Sequence, residues 1–228
     1  MHTVLHELGH NTTIALLAIR DGVLSRENFQ QLKAFLRQTT ALQSLDLTSS
    51  ALGSAGLAEI APVLYRNTSI KILDLSSNGL DDIESANVLH ELLRRNKTIT
   101  SLCIAQNVFG LNTAAARSIL EGVRSNTALQ QLDLDDCKLG DRGISLLAKA
   151  LAIRNASILE LNLQGNKITS VGVRALVDDN VEAVKTLTKL SLLYNPIRSE
   201  GATILADALG RNAMPDLEEL RLNGCRID

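Results

Sequence analysis

The chain has 228 residues, 45% of them hydrophobic, with 25 acidic and 23 basic side chains and a net charge of −2. That balance excludes the broad basic footprint of a nucleic-acid binder, and no apolar run approaches the ~18 residues of a membrane span. With three cysteines there is no disulfide framework, and no charged-then-apolar leader opens the chain, so a reduced, cytoplasmic protein is expected.

Residues 1–13 read as a helix tail, because Val4, Leu8 and Asn11 match Ile60, Leu64 and Asn67 further on. Within it, His6-Glu7-Leu8-Gly9-His10 fits H-E-x-x-H, the pattern that sets two zinc ligands and a water-activating Glu on one helix face. Three observations oppose a zinc peptidase. Leu93, Arg95 and Asn96 occupy the same places as Leu8, His10 and Asn11. Gly9 and Asn11-Thr12-Thr13 end the helix where a peptidase continues it. No third ligand follows at a suitable spacing. No metal and no cofactor are expected, and no G-x-x-x-x-G-K-S/T, G-x-S-x-G or C-x-x-C occurs anywhere.

From Ile14 onward one pattern returns, L-x-x-L-x-L-x-x-(N/C/S)-x-L. Its copies begin at Ile14, Leu42, Ile70, Ile99, Leu129, Ile158, Leu187 and Leu217, in steps of 28, 28, 29, 30, 29, 29 and 30. Typical copies are LQSLDLTSSAL (42–52), IKILDLSSNGL (70–80) and ILELNLQGNKI (158–168); the last, 217–228, is partial. The alternation around L-x-L predicts a short strand with one buried face: Leu45 and Leu47 inward, Asp46 outward. The ninth residues are Gly22, Ser50, Asn78, Asn107, Cys137, Asn166, Asn195 and Cys225. They fall where the backbone turns between stacked units, so their side chains are expected to form a ladder that satisfies buried backbone groups. Gly22 brings none. Cys137 and Cys225 are three units apart, roughly 14 Å by strand spacing and beyond bridging range.

Helical periodicity fills the gaps between strands, as in GSAGLAEIAPVL (53–64) and GDRGISLLAKAL (140–151), where Pro62 is expected to kink or shorten its helix. Gly56, Gly143, Gly172 and Gly201 recur 14 residues after the start of their copies. Arg66-Asn67, Arg95-Asn96, Ser125-Asn126 and Arg154-Asn155 predict helix exits in which Asn takes the left-handed conformation. Asn11, Asn67, Asn96 and Asn155 also begin N-x-S/T sequons, which turn chemistry explains and which would carry glycans only in a secreted protein.

The 28–30 residue unit, the mixed Asn and Cys ladder and the R-N-x-S/T exits together resemble the ribonuclease-inhibitor-like subclass of leucine-rich repeats. The resemblance implies an α/β fold: a right-handed solenoid or horseshoe with parallel strands on the concave face and helices on the convex face. It implies one domain over 1–228, expected to be a piece of a longer protein because both ends fall inside a repeat. Members include ribonuclease inhibitors, sensing domains of nucleotide-binding immune receptors, Ran GTPase-activating proteins, actin caps and bacterial effectors. The expected function is non-catalytic binding of a protein partner, as the recognition part of a receptor, scaffold or effector. A GTPase-activating protein of the Ran type is the alternative, with no motif favouring it.

The register gives the expected binding surface. Asp46, Asp74, Asp133, Asp135 and Asp136 project from one face with Glu160 beside them, which suits a basic protein partner. Lys189 and Arg221 bring positive charge to its C-terminal end, and Leu193 and Tyr194 are exposed apolar residues in a chain with two Tyr and no Trp.

Overall fold

The computed structural model describes Leu8 and residues 11–152, 157–177 and 183–227. Eight three-residue strands occupy the expected L-x-L cores: β1 Leu16–Ala18, β2 Ser44–Asp46, β3 Ile72–Asp74, β4 Ser101–Cys103, β5 Gln131–Asp133, β6 Glu160–Asn162, β7 Lys189–Ser191 and β8 Glu219–Arg221. They form one parallel sheet in chain order, each copy paired in register with the next, so that Leu45, Leu73, Leu102, Leu132, Leu161, Leu190 and Leu220 align. Among the described residues seven helices return the chain from one strand to the next: α1 Arg26–Gln38, α2 Gly53–Leu64, α3 Ile83–Arg95, α4 Thr113–Ser125, α5 Gly140–Leu151, α6 Ser170–Leu176 and α7 Arg198–Gly210. In the fourth coil a 3-10 turn, Phe109–Leu111, precedes its helix and buries Phe109.

No single coil encloses its apolar side, and stacking makes one continuous core. Leu42, Leu45, Leu47, Ile70, Leu73 and Leu75 are fully buried in it. Helices α2 and α5 have the expected bounds. Pro62 does not break α2: the helix continues past it and ends two residues later, with the ring exposed in the last turn. The recurrent glycines have a steric cause. A Cβ on Gly143 would lie 2.8 Å from Leu139 Cβ, and one on Gly201 would lie 2.9 Å from Ile197 Cβ. Each helix starts pressed against the last buried residue of the preceding turn, and a side chain there would lift it off the core.

The ninth residues bond from coil to coil as a ladder. Asn78 Oδ1 accepts the N–H groups of Ser50 and Leu52, both at 3.1 Å, and its amide donates to Leu47 O and Ser76 O at 2.8 and 3.0 Å. Asn107 takes the N–H groups of Asn78 and Leu80, Asn166 that of Leu139, and Asn195 that of Ile168. Ser50 donates its hydroxyl to Ile19 O at 2.7 Å, and Gly22 adds no rung.

The cysteine rungs act differently. Cys137 and Cys225 donate to Ile104 O and Leu192 O at 3.4 and 3.0 Å, but a thiol is a poor acceptor. In the coil before each, the orphaned N–H folds back onto its own chain: Phe109 to Asn107 O and Ile197 to Asn195 O. The tenth residues of those coils, Val108 and Pro196, keep negative φ, whereas Ala51, Gly79, Lys138 and Lys167, each ahead of an Asn rung, have φ between 51° and 66°. A β-branched residue or Pro resists the left-handed region, so the turn residue of one coil and the rung of the next are coupled.

The helix exits depart from expectation. Asn96 and Asn126 leave α3 and α4 in extended backbone, with φ of −80° and −89°, not in the left-handed conformation. Asn is required there for its side chain. Asn96 donates to Leu64 O at 2.7 Å in the preceding coil and accepts the N–H groups of Thr98 and Ile99, both at 2.8 Å. Asn67 and Asn126 repeat the arrangement with Leu36 O and Leu93 O. This is a second asparagine ladder, buried at the opposite end of the coil. It also answers the sequons: the amides of Asn67 and Asn96 are enclosed and hydrogen-bonded, which leaves no room for a glycan. Arg154 and Asn155 lie outside the described residues.

Candidate functional site

The strands set two outward columns side by side. Along the centre run Ala18, Asp46, Asp74, Cys103, Asp133, Asn162, Ser191 and Arg221, paired strand to strand in register. Beside them stand Ile72, Ser101, Gln131, Glu160, Lys189 and Glu219, and together the two columns line a groove of about 460 Å³ from β3 to β8. Beyond the strand, the eighth residue of every copy is left-handed: Asp21, Ser49, Ser77, Gln106, Asp136 and Tyr194 have φ of 51–58°, and Gly165 and Gly224 join them at 65° and 74°. This shared turn aims the eighth side chains along one rim.

The five expected carboxylates do not form a uniform acidic face. Arg20 lies over Asp46, with its Nε 2.6 Å from Asp46 Oδ2, and this cover explains why an outward residue is buried. Burial pushes the Asp46 carboxyl up, but Arg20 and Thr48 outweigh it and hold it below its usual value. Asp136 pairs with Lys138, and Glu160 with Lys189 at 2.8 Å. Arg221 pairs with Glu219 at 2.6 Å, so the expected C-terminal cations are also answered.

Asp74, Asp133 and Asp135 remain without an ion pair among the described residues. Asp74 accepts from Ser76 at 2.6 Å, Asp133 from Asn162 at 3.0 Å and Asp135 from Gln164 at 3.2 Å. Burial, then the charges of Asp133 and Asp136, push the Asp135 carboxyl up. Between Asp74 and Asp133 sits Cys103, 2.9 Å from Ser76 Oγ. Burial and then Asp133 push this thiol up to about 12, against the opposing effect of its hydrogen bond with Ser76. Only a thiolate reacts quickly, so Cys103 should resist iodoacetamide at pH 8 while the urea-unfolded chain alkylates at all three cysteines. Rapid labelling of native Cys103 would contradict this environment.

Tyr194 is 67% exposed, and Leu193 beside it is half-buried. The Tyr194 ring covers Gly224 of the next coil: a Cβ there would lie 2.5 Å from Tyr194 Cδ1. Positive φ is uncommon for so bulky a residue and is held here by the coil stack. Ile72, 48% exposed, is an apolar residue lining the groove that the sequence reading missed; its apolar character in a column otherwise polar from β2 to β8 was the available signal.

A family model for the leucine-rich repeat matches residues 40–61, 66–83, 125–148 and 154–177. The ribonuclease inhibitors of Sus scrofa and Mus musculus are each 30% identical over 118 residues, which is 52% of this chain and 25% of the relative. The NACHT, LRR and PYD domains-containing protein 14 of Mus musculus is 28% identical over 218 residues, 95% of this chain and 22% of that protein. Among solved structures, the leucine-rich repeat-containing protein LegL7 of Legionella pneumophila superposes with a TM-score of 0.62 at 19% identity, covering 92% of this chain and 64% of that one. The chain is built of leucine-rich repeats, similar to those of the ribonuclease inhibitors.

This leucine-rich repeat chain spans about a quarter of the length of the curated relatives it matches. Among its described residues no group of three or more His, Cys, Asp or Glu is placed to hold a metal ion, and no helix is long and apolar enough to cross a membrane. His6, Glu7 and His10 lie outside the described residues; Leu8 is described and is buried.

Proposed function

We propose that the chain is a non-catalytic recognition module that receives a protein partner on its concave strand face, chiefly on the C-terminal half. The observation that carries this reading is Tyr194, an exposed aromatic side chain fixed over Gly224 and two strands from Asp133 and Asp135, whose carboxylates have no ion-pair partner among the described residues. An aromatic anchor beside steering charge is common hot-spot anatomy. The unpaired carboxylates suit a basic segment of the partner, with Lys189 and Arg221 at the far end of the groove already committed to Glu160 and Glu219. The names of the relatives support binding by this kind of repeat: one is an inhibitor of ribonuclease, and the other joins leucine-rich repeats to NACHT and PYD domains in one longer chain. The second supports a recognition part within a larger receptor-like protein.

Affinity capture with the wild-type chain and with Asp133→Ala/Asp135→Ala/Asp136→Ala tests the reading. The triple variant should lose partners by slowing their association, and the salt dependence of that rate should flatten. Identical capture by both chains would remove the acidic part of the surface from the proposal.

A further inference from the structure

The turn rim beyond the strands changes character half-way along the solenoid. At the tenth position the first four coils carry Val23, Ala51, Gly79 and Val108, all uncharged. The later coils carry Lys138, Lys167 and Arg226 there, and where Pro196 holds the position Arg198 follows two residues on. All four cations sit at φ between 57° and 60°. Arg198 occupies a left-handed position that Gly53 and Gly140 fill in other coils, and its N–H is anchored to Cys225 O at 3.0 Å. Successive coils lie about 4.8 Å apart, so these like charges stand close along one edge.

Most of that charge is unanswered. Lys138 pairs with Asp136, but Lys167, Arg198 and Arg226 are exposed and make no ion pair among the described residues. The acids in the first turns of α5 and α7 are engaged elsewhere. Asp141 accepts from Thr169 N, Thr169 Oγ1 and Gly172 N at 2.7–2.9 Å, and Glu200 accepts from Ser170 Oγ at 2.8 Å and faces Arg174. Tyr194, two residues before Pro196, adds an exposed apolar surface on the same coil as Arg198.

We infer that the rim formed by Lys167, Arg198 and Arg226 beside Tyr194 is a docking surface for an acidic protein segment. Charge complementarity selects the occupant: three cations at coil spacing meet carboxylates along a segment laid across the coils, while the tyrosine takes an apolar side chain among them. The rim cations and the concave carboxylates carry opposite charge and flank the same Tyr194, so together they would fix the orientation of a partner that bears both charges.

The test is fluorescence anisotropy on the full chain, with a labelled glutamate-rich peptide carrying a central leucine pair and a lysine-substituted counterpart as control. The glutamate peptide should bind at low salt and weaken as salt rises. Lys167→Gln/Arg198→Gly/Arg226→Gln should weaken it about tenfold or more, while Arg117→Gln/Lys149→Gln on the convex helices should leave it unchanged. Arg198→Gly alone should weaken binding with the melting temperature kept or raised, because Gly adopts positive φ without strain; unfolding then cannot account for the loss. Asp133→Ala/Asp135→Ala/Asp136→Ala should retain or improve this binding, since it frees Lys138, so the concave reading and this one fail separately. No binding by the wild type, equal binding by the rim variant, or equally rim-dependent binding of phosphatidylserine vesicles or an oligonucleotide would each overturn the assignment.

Discussion

Replacing Asn166 by Ala should lower folding stability by about 3 kcal/mol. Asn166 is fully buried, accepts the Leu139 N–H at 3.1 Å, and donates to Leu134 O and Gln164 O at 2.7 and 2.9 Å. Removing the amide leaves the Leu139 N–H and Leu134 O without partners, while Gln164 O keeps the Asp136 N–H at 2.9 Å; each orphaned group costs about 1–3 kcal/mol when nothing replaces the bond, with partial relaxation reducing the sum. Gln164, two residues earlier, is half-exposed, and its side-chain amide donates to Asp135 at 3.2 Å. Gln164→Ala should stay within about 0.5 kcal/mol of wild type. Urea melts of the two variants read the difference directly, and equal losses would mean that the ninth residues are not the rungs of the ladder.

Tyr194→Ala should weaken the partner by about 2 kcal/mol or more while leaving the fold intact, the behaviour of a pre-positioned aromatic anchor. The backbone at φ +53° holds the ring over Gly224 before any partner arrives, so little side-chain freedom is lost on binding. The same geometry separates affinity from stability. Tyr194→Gly removes left-handed strain of about 1 kcal/mol and also removes the packing over Gly224, so its thermal melt should lie close to wild type. Its affinity should fall as far as that of Tyr194→Ala, and Tyr194→Phe should retain most of it. Calorimetric titration beside thermal melts distinguishes these outcomes. Unchanged affinity in both Tyr194→Ala and Tyr194→Gly would move the contact off this part of the face.

The coil period, the eight strands, the first ladder and the residues of each concave column were legible in the sequence. Each follows from a local rule, alternation within an L-x-L or Asn at a ninth position, repeated at a step that fixes the register of the stack. What the sequence did not determine is what one coil presents to the next. Asn67, Asn96 and Asn126 looked like left-handed helix exits, but their amides reach backbone carbonyls 31–33 residues earlier. The acids of the concave face read as free charge, with cations only at its C-terminal end, but Arg20, Lys138 and Lys189 pair with Asp46, Asp136 and Glu160. The turn before a Cys rung folds back because a thiol cannot take the N–H groups that an Asn carbonyl takes. Hydrogen bonds and ion pairs between stacked units depend on side-chain reach and donor balance across a 5 Å gap. That pairing exists only once the coils are stacked, and it decided which charges stay free to meet a partner.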